Sequence, residues 1–199
     1  ELDRLFGVPQ VAKHHPEIDC GEHVLLVLDQ GVELDADVPT RFALLCHDLG
    51  KGTTEASSLP QHIGHEARGV PLTEQSCARL KVPNAWRDLA LITTRWHSHS
   101  HRALELRAAT LVDFLSALDV RRRPERFEQF LLACTADQRG RLGMADRPYP
   151  QADYLRAAAA AMLGVDVAAI VKRVDPAKRE QAIRSARIDA IRQVKKPSL

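Results

Sequence analysis

The residues best suited to chemistry are two histidines and two aspartates. His23 lies in an apolar helical pattern, His47 and Asp48 stand side by side after the apolar run RFALLC, and Asp137 follows another such run. Polar groups at the ends of buried helices are costly unless something satisfies them. Two imidazoles and two carboxylates form a mixed nitrogen and oxygen set that suits Mn²⁺, Fe²⁺, Co²⁺, Ni²⁺, Zn²⁺ or Mg²⁺. Such a set would leave coordination positions open for water and a phosphate.

Each of these residues also has a purely structural explanation. A single histidine on an apolar helix face is commonly a hydrogen-bonded core residue. An aspartate in the last turn of a helix opposes the helix dipole and needs a cation, which Lys51 could supply to Asp48. Lys51 could also cap its own helix or meet a phosphate as a point charge. The spacing alone therefore leaves both a metal site and a structural role open.

The other histidines are expected to lie outside the metal chemistry, although the adjacent pair His14 and His15 is itself a feature that suggests metal binding. His14 and His15, in the segment KHHPEID, are expected to pack in the stretch that leads into the first helix. His62, His99 and His101 are expected in solvent-facing loops.

The elements that must position these residues are helices. Apolar residues recur at i, i+3 and i+4 in most of the chain, whereas alternating β-branched runs and Asn-Gly or Asp-Gly hairpins are absent from the sequence. We therefore predict an all-α chain of about eight or nine helices. The predicted helical segments are 21–32, 38–52, 64–80, 84–97, 106–120, 124–140, 150–164, 166–174 and 176–196. The last of these is polar nearly all round, which predicts a helix that is exposed, partner-bound or frayed.

Composition places the chain among globular proteins. Its 199 residues are 45% apolar, enough for one domain with a sizeable core and a small appendage. We expect no membrane span, because no uninterrupted apolar run approaches the roughly 18 residues that one needs. The four cysteines form no CxxC pair, which argues against a zinc ribbon or a disulfide framework and fits a reducing cytoplasm. The first residue is Glu, and we expect the native N-terminus to lie upstream.

Charge is distributed unevenly. Residues 1–120 hold 11 Lys and Arg against 17 Asp and Glu, a net charge of −6, whereas residues 121–199 hold 17 against 9, a net charge of +8. The C-terminal part is therefore the candidate for a polyanion partner, with the cluster Arg121, Arg122 and Arg123 as its expected RNA contact. The alternative is that these basic helical faces are only solvated. Gly and Pro in RGRLGMADRPYPQ indicate a domain boundary near 140–150.

Several stretches of the sequence resemble one known family. The order H…HD…D is similar to the HD superfamily of metal-dependent phosphohydrolases. A closer resemblance, over most of residues 1–140, is to the bacterial tRNA nucleotidyltransferases that carry an HD domain, the CCA-adding enzymes. It rests on ELDRLFGVPQ, HHPEIDCGEHVL, RFALLCHDLGKG, LPQHIGHEARGV, RLKVPN and ADQRGR. The paired carboxylates and glycine-rich opening of that family's nucleotidyltransferase region are not in this sequence, so the chain looks like the C-terminal part, and we expect no CCA addition by it alone.

The resemblance implies an all-α fold, an HD-domain helical bundle with additional C-terminal helices. Residues 1–19 would be a lead-in from an N-terminal nucleotidyltransferase region, 20–140 the HD phosphohydrolase domain, and 141–199 a basic helical C-terminal region. Beyond about residue 145 the similarity is one of general character, without a sharp motif.

The same resemblance implies roles for individual residues. The expected metal ligands are His23, His47, Asp48 and Asp137. His65 and His97 match two further histidines of the pattern, which hold a second metal, steady the phosphate or protonate the leaving oxygen. With Lys51, which would meet the phosphate, they are the expected catalytic residues. A second His-Asp pair is common in the pattern where this chain has His97-Ser98. This departure favours one ion over two.

The activities implied are those of a 2′,3′-cyclic phosphodiesterase, a 2′-nucleotidase and a phosphatase. Ni²⁺ is the favoured ion, with Mn²⁺, Co²⁺ and Mg²⁺ as other candidates, and the substrates would be 2′,3′-cyclic or 2′-phosphate nucleotides. The implied partner is tRNA, the location is the cytoplasm, and a homodimer is compatible with this assignment. Two alternatives stay open: a non-catalytic tRNA-binding module with a structural or empty metal site, and a nucleotide phosphohydrolase of the wider HD group.

Overall fold

The computed structural model describes residues 1–197, and within that range the chain is built from helices. The α-helices are α1 (Cys20–Glu33), α2 (Val38–Cys46), α3 (His65–Arg79), α4 (Asn84–His101), α5 (Ala108–Ala117), α6 (Pro124–Arg139), α7 (Pro150–Leu163), α8 (Val167–Arg173) and α9 (Arg179–Arg192). Short 3-10 turns occur at Asp3–Leu5, Leu49–Thr53, Ala56–Ser58 and Pro176–Lys178. Residues 1–197 contain one isolated β-bridge, between Pro9 and Asp19, and no named strand. The all-α prediction is confirmed.

The first two helices begin at aspartate caps. The Asp19 carboxylate accepts hydrogen bonds from the backbone N–H groups of Gly21 and Glu22, and Asp37 accepts one from Thr40 N at 2.9 Å. An N-cap carboxylate satisfies donors that the first helical turn leaves without partners and complements the helix dipole. These caps fix the starts of the helices that carry His23 and lead to His47.

The core beneath these helices is where α1, α2 and α6 meet. Val27, Leu44, Ala133 and Ala136 are buried there against one another. The end of α6 comes so close to α1 that a Cβ on Gly140 would lie 2.5 Å from the Val27 Cα. Only glycine fits this approach, which brings the last turn of α6 next to α1.

Helix α2 ends sooner than the predicted segment 38–52. It stops at Cys46, His47 is its C-cap, and Asp48 precedes the 3-10 turn Leu49–Thr53. This turn packs against α3 so tightly that a Cβ on Gly50 would lie 1.9 Å from the carbonyl oxygen of His65. The close packing holds the residues after Asp48 against the start of α3.

The described chain divides into two compact units. The first comprises Glu1–Ser98 with Glu128–Tyr149, and the second comprises His99–Phe127 with the described residues from Pro150 onward. Helices α4 and α6 each contribute residues to both units. The division differs from the predicted segments 1–19, 20–140 and 141–199. The chain nevertheless passes from the first unit to the second after Tyr149, within the predicted boundary region of 140–150.

In the second unit, α9 packs against α5 and α7. Ile191 is buried, and Arg184 on the same helix pairs with Asp113 of α5 at 2.8 Å. Apart from Ile191 the residues of α9 are exposed or only partly buried, which agrees with the polar pattern, and the helix is formed and packed along one face rather than frayed. His99 and His101 were expected in loops, but α4 runs past residue 97 and includes both.

One stretch of the described chain, Pro150–Arg173, has the length and apolar composition of a membrane span. The stretch is interrupted by Asp153, Arg156 and Asp166, so it contains no uninterrupted apolar run of that length. In the structure it consists of α7 and α8, separated at Gly164–Asp166. Helix α7 buries Tyr154, Leu155 and Met162.

The Asp37 cap gives a prediction about stability. Burial raises the pKa of this carboxyl, but hydrogen bonds from Thr40 and from the Gln129 side chain (2.7 Å) outweigh it and hold the pKa below its usual value. Asp37→Ala should lower the free energy of unfolding by about 1 kcal/mol, measured by urea denaturation at pH 7. Because the folded pKa is depressed, this difference is full above the unfolded pKa of about 3.9 and disappears as pH falls through the folded pKa.

Two variants sharpen the comparison. Asp37→Asn keeps the capping oxygen and should recover most of the loss at pH 7, but without the pH dependence. Asp29→Ala, which removes an exposed carboxylate from α1, should leave the unfolding curve nearly unchanged. An equal loss for Asp29→Ala and Asp37→Ala would contradict the assignment of the cap.

Candidate metal centre

Four histidines of the first unit direct Nε2 toward a common interior. Their Nδ1 atoms point away from it, each toward a partner at the periphery. His47 Nδ1 lies 2.6 Å from Leu44 O, His65 Nδ1 2.9 Å from His62 O, His97 Nδ1 3.0 Å from Thr93 O, and His23 Nδ1 2.9 Å from Glu17 Oε1. A backbone carbonyl only accepts hydrogen bonds, so Nδ1 of His47, His65 and His97 must carry the proton and donate it. In their neutral forms these rings therefore present the Nε2 lone pair to the interior.

The first group of inward atoms consists of His23, His47 and Asp137. His23 Nε2 lies 3.1 Å and His47 Nε2 lies 3.8 Å from Asp137 Oδ1. One oxygen of Asp48, Oδ2, lies 3.2 Å from His47 Nε2 and 3.9 Å from His23 Nε2. All four side chains are buried, with exposed fractions of 5% or less. These are the four residues that the sequence analysis assigned as metal ligands, and the fold brings them together.

The second group faces the other oxygen of Asp48. Asp48 Oδ1 lies 3.4 Å from His65 Nε2 and 3.6 Å from His97 Nε2, and the two imidazole nitrogens are 3.2 Å apart. Asp48 thus lies between the two groups, with one oxygen directed to each. The arrangement places the two expected catalytic histidines beside the expected ligands. At position 98, where the pattern that the sequence resembles commonly has an aspartate, the Ser98 hydroxyl lies 3.4 Å from His97 Nε2.

Two buried atoms at the centre of these groups lack a hydrogen-bond partner. They are His47 Nε2 and Asp48 Oδ1. A buried polar atom without a partner is costly, and an ion between converging nitrogen and oxygen donors would remove that cost. The donors close enough to share an ion are His23, His47 and Asp137 in one group and Asp48, His65 and His97 in the other. Together with the two unsatisfied atoms, the first group and the adjoining Asp48 fit a divalent transition-metal ion.

Lys51 supplies a positive charge to the same carboxylate. Its ammonium donates to Asp48 Oδ2 at 2.7 Å and to Gln10 Oε1 at 2.6 Å, and the residue is 6% exposed. Of the roles considered from the sequence, pairing with Asp48 is the one that the structure contains. Capping of α2 is not, because that helix ends at Cys46 and the Lys51 ammonium is directed to side chains.

The electrostatics of the ion-free site follow from these contacts. Burial lowers the pKa of His47, but Asp48 and Asp137 outweigh it and raise that pKa to about 9. Burial raises the pKa of Asp48, but His47 and Lys51 hold it well below its usual range. For His97 burial prevails and lowers the pKa to about 3, so this ring is neutral at pH 7. His47 and Lys51 therefore carry the positive charges that offset the two carboxylates.

Three further residues lie next to the expected ligands without a clear signal in the sequence. Glu17 and His15 lie beside His23, with His15 Nδ1 2.9 Å from Glu17 Oε1, and Gln10 holds Lys51. The only signal for the first two is their place in the segment KHHPEID just before α1. His62 was expected to face solvent, but it is half-buried and its ring lies 2.8 Å from Thr54 Oγ1 and 3.1 Å from Pro9 O.

The predicted RNA-contact cluster lies in the second unit and is not part of this site. Arg121, Arg122 and Arg123 are exposed in the turn between α5 and α6, and Arg122 forms two hydrogen bonds of 3.0 Å with Asp119.

A polar cleft of about 490 Å³ is lined by residues close in sequence to Lys51 and His65. They include Arg68, one turn after His65 on α3, and Thr54, which follows the 3-10 turn of Lys51. Arg68 donates to Thr54 Oγ1 at 2.8 Å and to Ile63 O at 2.7 Å. The remaining lining residues are Thr53, Glu55, Ser57, Ser58, Leu59, Gln61 and Ile63.

Comparison with known families gives a match over the part of the chain that carries most of these residues. The sequence profile described as "HD domain" matches residues 20–125, which is more than half of the chain. The chain belongs to the HD domain family. The match begins with α1, which carries His23, and includes the His47-Asp48 pair and both inward histidines of the second group. The predicted membership of the HD superfamily is confirmed.

Several curated relatives of this HD domain chain carry the same description. The chain is 56% identical over 196 residues to a "Multifunctional CCA protein" of Thioalkalivibrio sulfidiphilus, which covers 98% of this chain and 48% of that protein. It is 51% identical over 195 residues to proteins of the same description from Ralstonia nicotianae (97% and 46%) and Dechloromonas aromatica (98% and 47%). The chain thus spans about half the length of the curated relatives it matches. No solved structure matches it significantly.

The geometry predicts that Asp48 is required for metal binding. Asp48→Asn keeps the shape of the side chain but removes the charge that faces both histidine groups. Elemental analysis of chain purified with added Ni²⁺ should find the wild type loaded and the variant without metal. Far-UV circular dichroism should be unchanged, because Asp48 lies outside the α-helices.

The control for this test is Asp29→Asn, which removes an exposed carboxylate from α1 and should bind metal as the wild type does. Asp48→Ala also removes the ion-pair partner of Lys51 and should bind as little metal as Asp48→Asn does. Full metal loading of either Asp48 variant would show that the ion lies elsewhere.

Proposed function

We propose that this chain is the metal-dependent phosphohydrolase part of a multifunctional CCA-adding tRNA nucleotidyltransferase. The observation that supports the proposal is the convergence of four inward imidazoles on two buried carboxylates, with His47 Nε2 and Asp48 Oδ1 left without hydrogen-bond partners. The similarity to multifunctional CCA proteins over nearly the whole chain supports the second half of the statement.

His23, His47, Asp48 and Asp137 would hold the ion. When bound, a divalent ion polarises a phosphoryl oxygen and lowers the pKa of a coordinated water. We propose Ni²⁺ as the preferred ion, with Mn²⁺, Co²⁺ and Mg²⁺ as weaker substitutes, because two imidazole nitrogens favour the later transition metals over Mg²⁺.

Lys51 and the second histidine group would handle the phosphate. Two of the three Lys51 donors are used by Asp48 and Gln10, which leaves one for a phosphate oxygen. His97 is neutral at pH 7 and is suited to accept a hydrogen bond or hold an ion rather than to donate a proton. His65, whose side chain is more exposed (13% against 6%), is then the candidate proton donor to the leaving oxygen.

The substrates proposed are nucleotides with a 2′,3′-cyclic phosphate or a 2′-phosphate. A phosphate at the ion would leave the rest of the nucleotide to be bound nearby, and the cleft beside Arg68 offers hydroxyl, amide and guanidinium groups for a ribose and a base. We further propose that the protein acts in the cytoplasm, where tRNA is processed and where the four cysteines would remain reduced.

A second candidate function is that of a tRNA-binding module in which the metal has only a structural role. The net charge of +8 over residues 121–199 favours contact with RNA, since Lys and Arg neutralise phosphates without reading sequence. The two functions are compatible in one chain, and they separate in experiments because the histidines and the basic cluster belong to different compact units.

Hydrolysis of 2′,3′-cyclic AMP tests the enzymatic proposal. The Ni²⁺-loaded chain should release 2′- or 3′-AMP, removal of the ion with EDTA should lower the rate on the order of 100-fold or more, and added Ni²⁺ should restore it. His65→Gln, which keeps a polar side chain, should lower kcat while metal content stays near that of the wild type. A metal-loaded wild-type chain without turnover of cyclic or 2′-phosphate nucleotides would support the binding module instead.

Salt dependence tests the role of the basic cluster. If Arg121, Arg122 and Arg123 contact tRNA, replacing all three by Gln should reduce the slope of log K against log salt by about two to three units. Hydrolysis of 2′,3′-cyclic AMP should not change in this variant. Arg79→Gln, which removes one exposed charge from the first unit, serves as the control and should change the slope much less. An unchanged slope in the triple variant would mean that the cluster is only a solvated surface.

A further inference from the structure

Arg68 carries the positive charge of the polar cleft, and its guanidinium is held by neutral groups. It donates to Ile63 O at 2.7 Å, to Thr54 Oγ1 at 2.8 Å and to Thr53 Oγ1 at 3.3 Å. Within residues 1–197 no carboxylate forms an ion pair with it, although the exposed Glu55 lines the same cleft. The charge of this half-buried side chain is therefore not neutralised by the protein.

The orientation of the guanidinium is fixed by a chain of hydrogen bonds. His62 Nε2 lies 3.1 Å from Pro9 O, which only accepts, so the neutral ring carries its proton there and its Nδ1 accepts from the Thr54 hydroxyl at 2.8 Å. The oxygen of that hydroxyl in turn accepts from Arg68. Three of the five guanidinium N–H groups are used in this way, and one N–H remains on each terminal nitrogen. A planar pair of donors of this kind suits two oxygens of a phosphate.

The cleft and the second histidine group are built from the same two segments. The 3-10 turn Leu49–Thr53 lies along the first turn of α3, where a Cβ on Gly50 would be 1.9 Å from His65 O. At one end of this contact, Asp48 Oδ1 lies 3.4 Å from His65 Nε2, and at the other end two threonines accept from Arg68. His65 and Arg68 are three positions apart on α3, so they are neighbours on its surface, with Cβ atoms about 5–6 Å apart. Arg68 therefore lies about one helical turn from the group expected to meet the phosphate.

A nucleotide at the end of an RNA strand has two phosphates that could match this spacing. Its 2′,3′-cyclic phosphate would lie at the ion, and the phosphodiester that joins it to the preceding nucleotide lies on the other side of its ribose. Free 2′,3′-cyclic AMP has the first of these groups and lacks the second. A fixed cation beside the cleft would therefore distinguish the two kinds of substrate.

We propose that Arg68 binds the phosphodiester on the 5′ side of the terminal nucleotide and makes the end of an RNA strand the preferred substrate. The inference rests on the proposed function, in which the ion holds the cyclic phosphate. Arg68 determines specificity in this arrangement and does not touch the reacting atoms. Because this contact is the same before and during the reaction, it should act mainly on KM.

Two matched substrates test the proposal with the Ni²⁺-loaded whole chain. One is the dinucleotide adenylyl-(3′→5′)-adenosine with a terminal 2′,3′-cyclic phosphate, and the other is its analogue with a neutral methylphosphonate linkage. Both carry the same bases and the same reacting group, so they differ in the charge offered to Arg68. The wild type should hydrolyse the phosphodiester form with a kcat/KM about 10- to 100-fold higher, the range expected for hydrogen bonds to a charged group.

The variants are compared by this ratio, because it cancels any general loosening of the cleft. Arg68→Gln should bring the ratio close to one. Arg68→Lys keeps a point charge but loses the planar fork, and it should give an intermediate ratio. Arg79→Gln is the matched control, since it removes an exposed arginine from the other end of the same helix, and it should keep the full ratio.

The outcomes separate this inference from the function on which it rests. A ratio near one in the wild type, or a full ratio in Arg68→Gln, would overturn the role of Arg68 while hydrolysis itself still supported the proposed function. A loaded chain that hydrolyses neither dinucleotide would refute the proposed function. Calorimetric binding of the two dinucleotides to the metal-free chain, with the Arg68 Nε–H resonance as a local probe, would then decide the inference. Tighter binding of the phosphodiester form by the wild type than by Arg68→Gln would support it, and equal binding of both forms would overturn it.

Discussion

The buried Asp48 carboxylate is the group on which the arrangement of the first unit depends. It is ionised in the interior, so it needs positive partners, and Lys51 and protonated His47 provide them in the ion-free protein. A divalent ion in place of the His47 proton would raise the local charge by one unit. A site whose positive charge rises when it binds an ion is suited to a phosphate, because the bound ion and Lys51 would both attract the anion.

Close backbone approaches hold this carboxylate where it is. Gly50 lies against the carbonyl of His65, and Gly140 lies against the backbone of α1, at distances that no Cβ could tolerate. The first approach brings α3, with His65, to Asp48, and the second brings the end of α6, with Asp137, to His23. Both glycines belong to the short sequence motifs HDLGKG and ADQRG that also contain expected ligands, so the donors and the packing that positions them are encoded together.

Sequence reasoning could predict the helices and the main donors, because both leave local signals. Apolar periodicity marks α1 and α2, and an adjacent His-Asp pair after a buried run is conspicuous. Glu17 and Gln10 leave no such signal, since each acts through a contact across the fold to His23 or Lys51. The packing of α9 against α5 and α7 leaves only a weak signal for a related reason, because Ile191 is the buried residue of this helix and most of the others are polar. The compact units were not predictable from composition, because α4 and α6 run through the division without a break.

The second histidine group follows a strict proton balance. His65 and His97 use their Nδ1 protons on backbone carbonyls, so in their neutral forms two Nε2 lone pairs meet Asp48 Oδ1, itself without a hydrogen-bond donor. Asp48 Oδ1, His65 Nε2 and His97 Nε2 lie within 3.6 Å of one another, and the Ser98 hydroxyl, 3.4 Å from His97 Nε2, is a donor at the edge of this group. If His65 is the proposed acid, its Nε2 must carry the proton, whereas an ion bound at the same nitrogen would leave it no proton to give. Proton donation by His65 and binding of a second ion through its Nε2 therefore exclude each other.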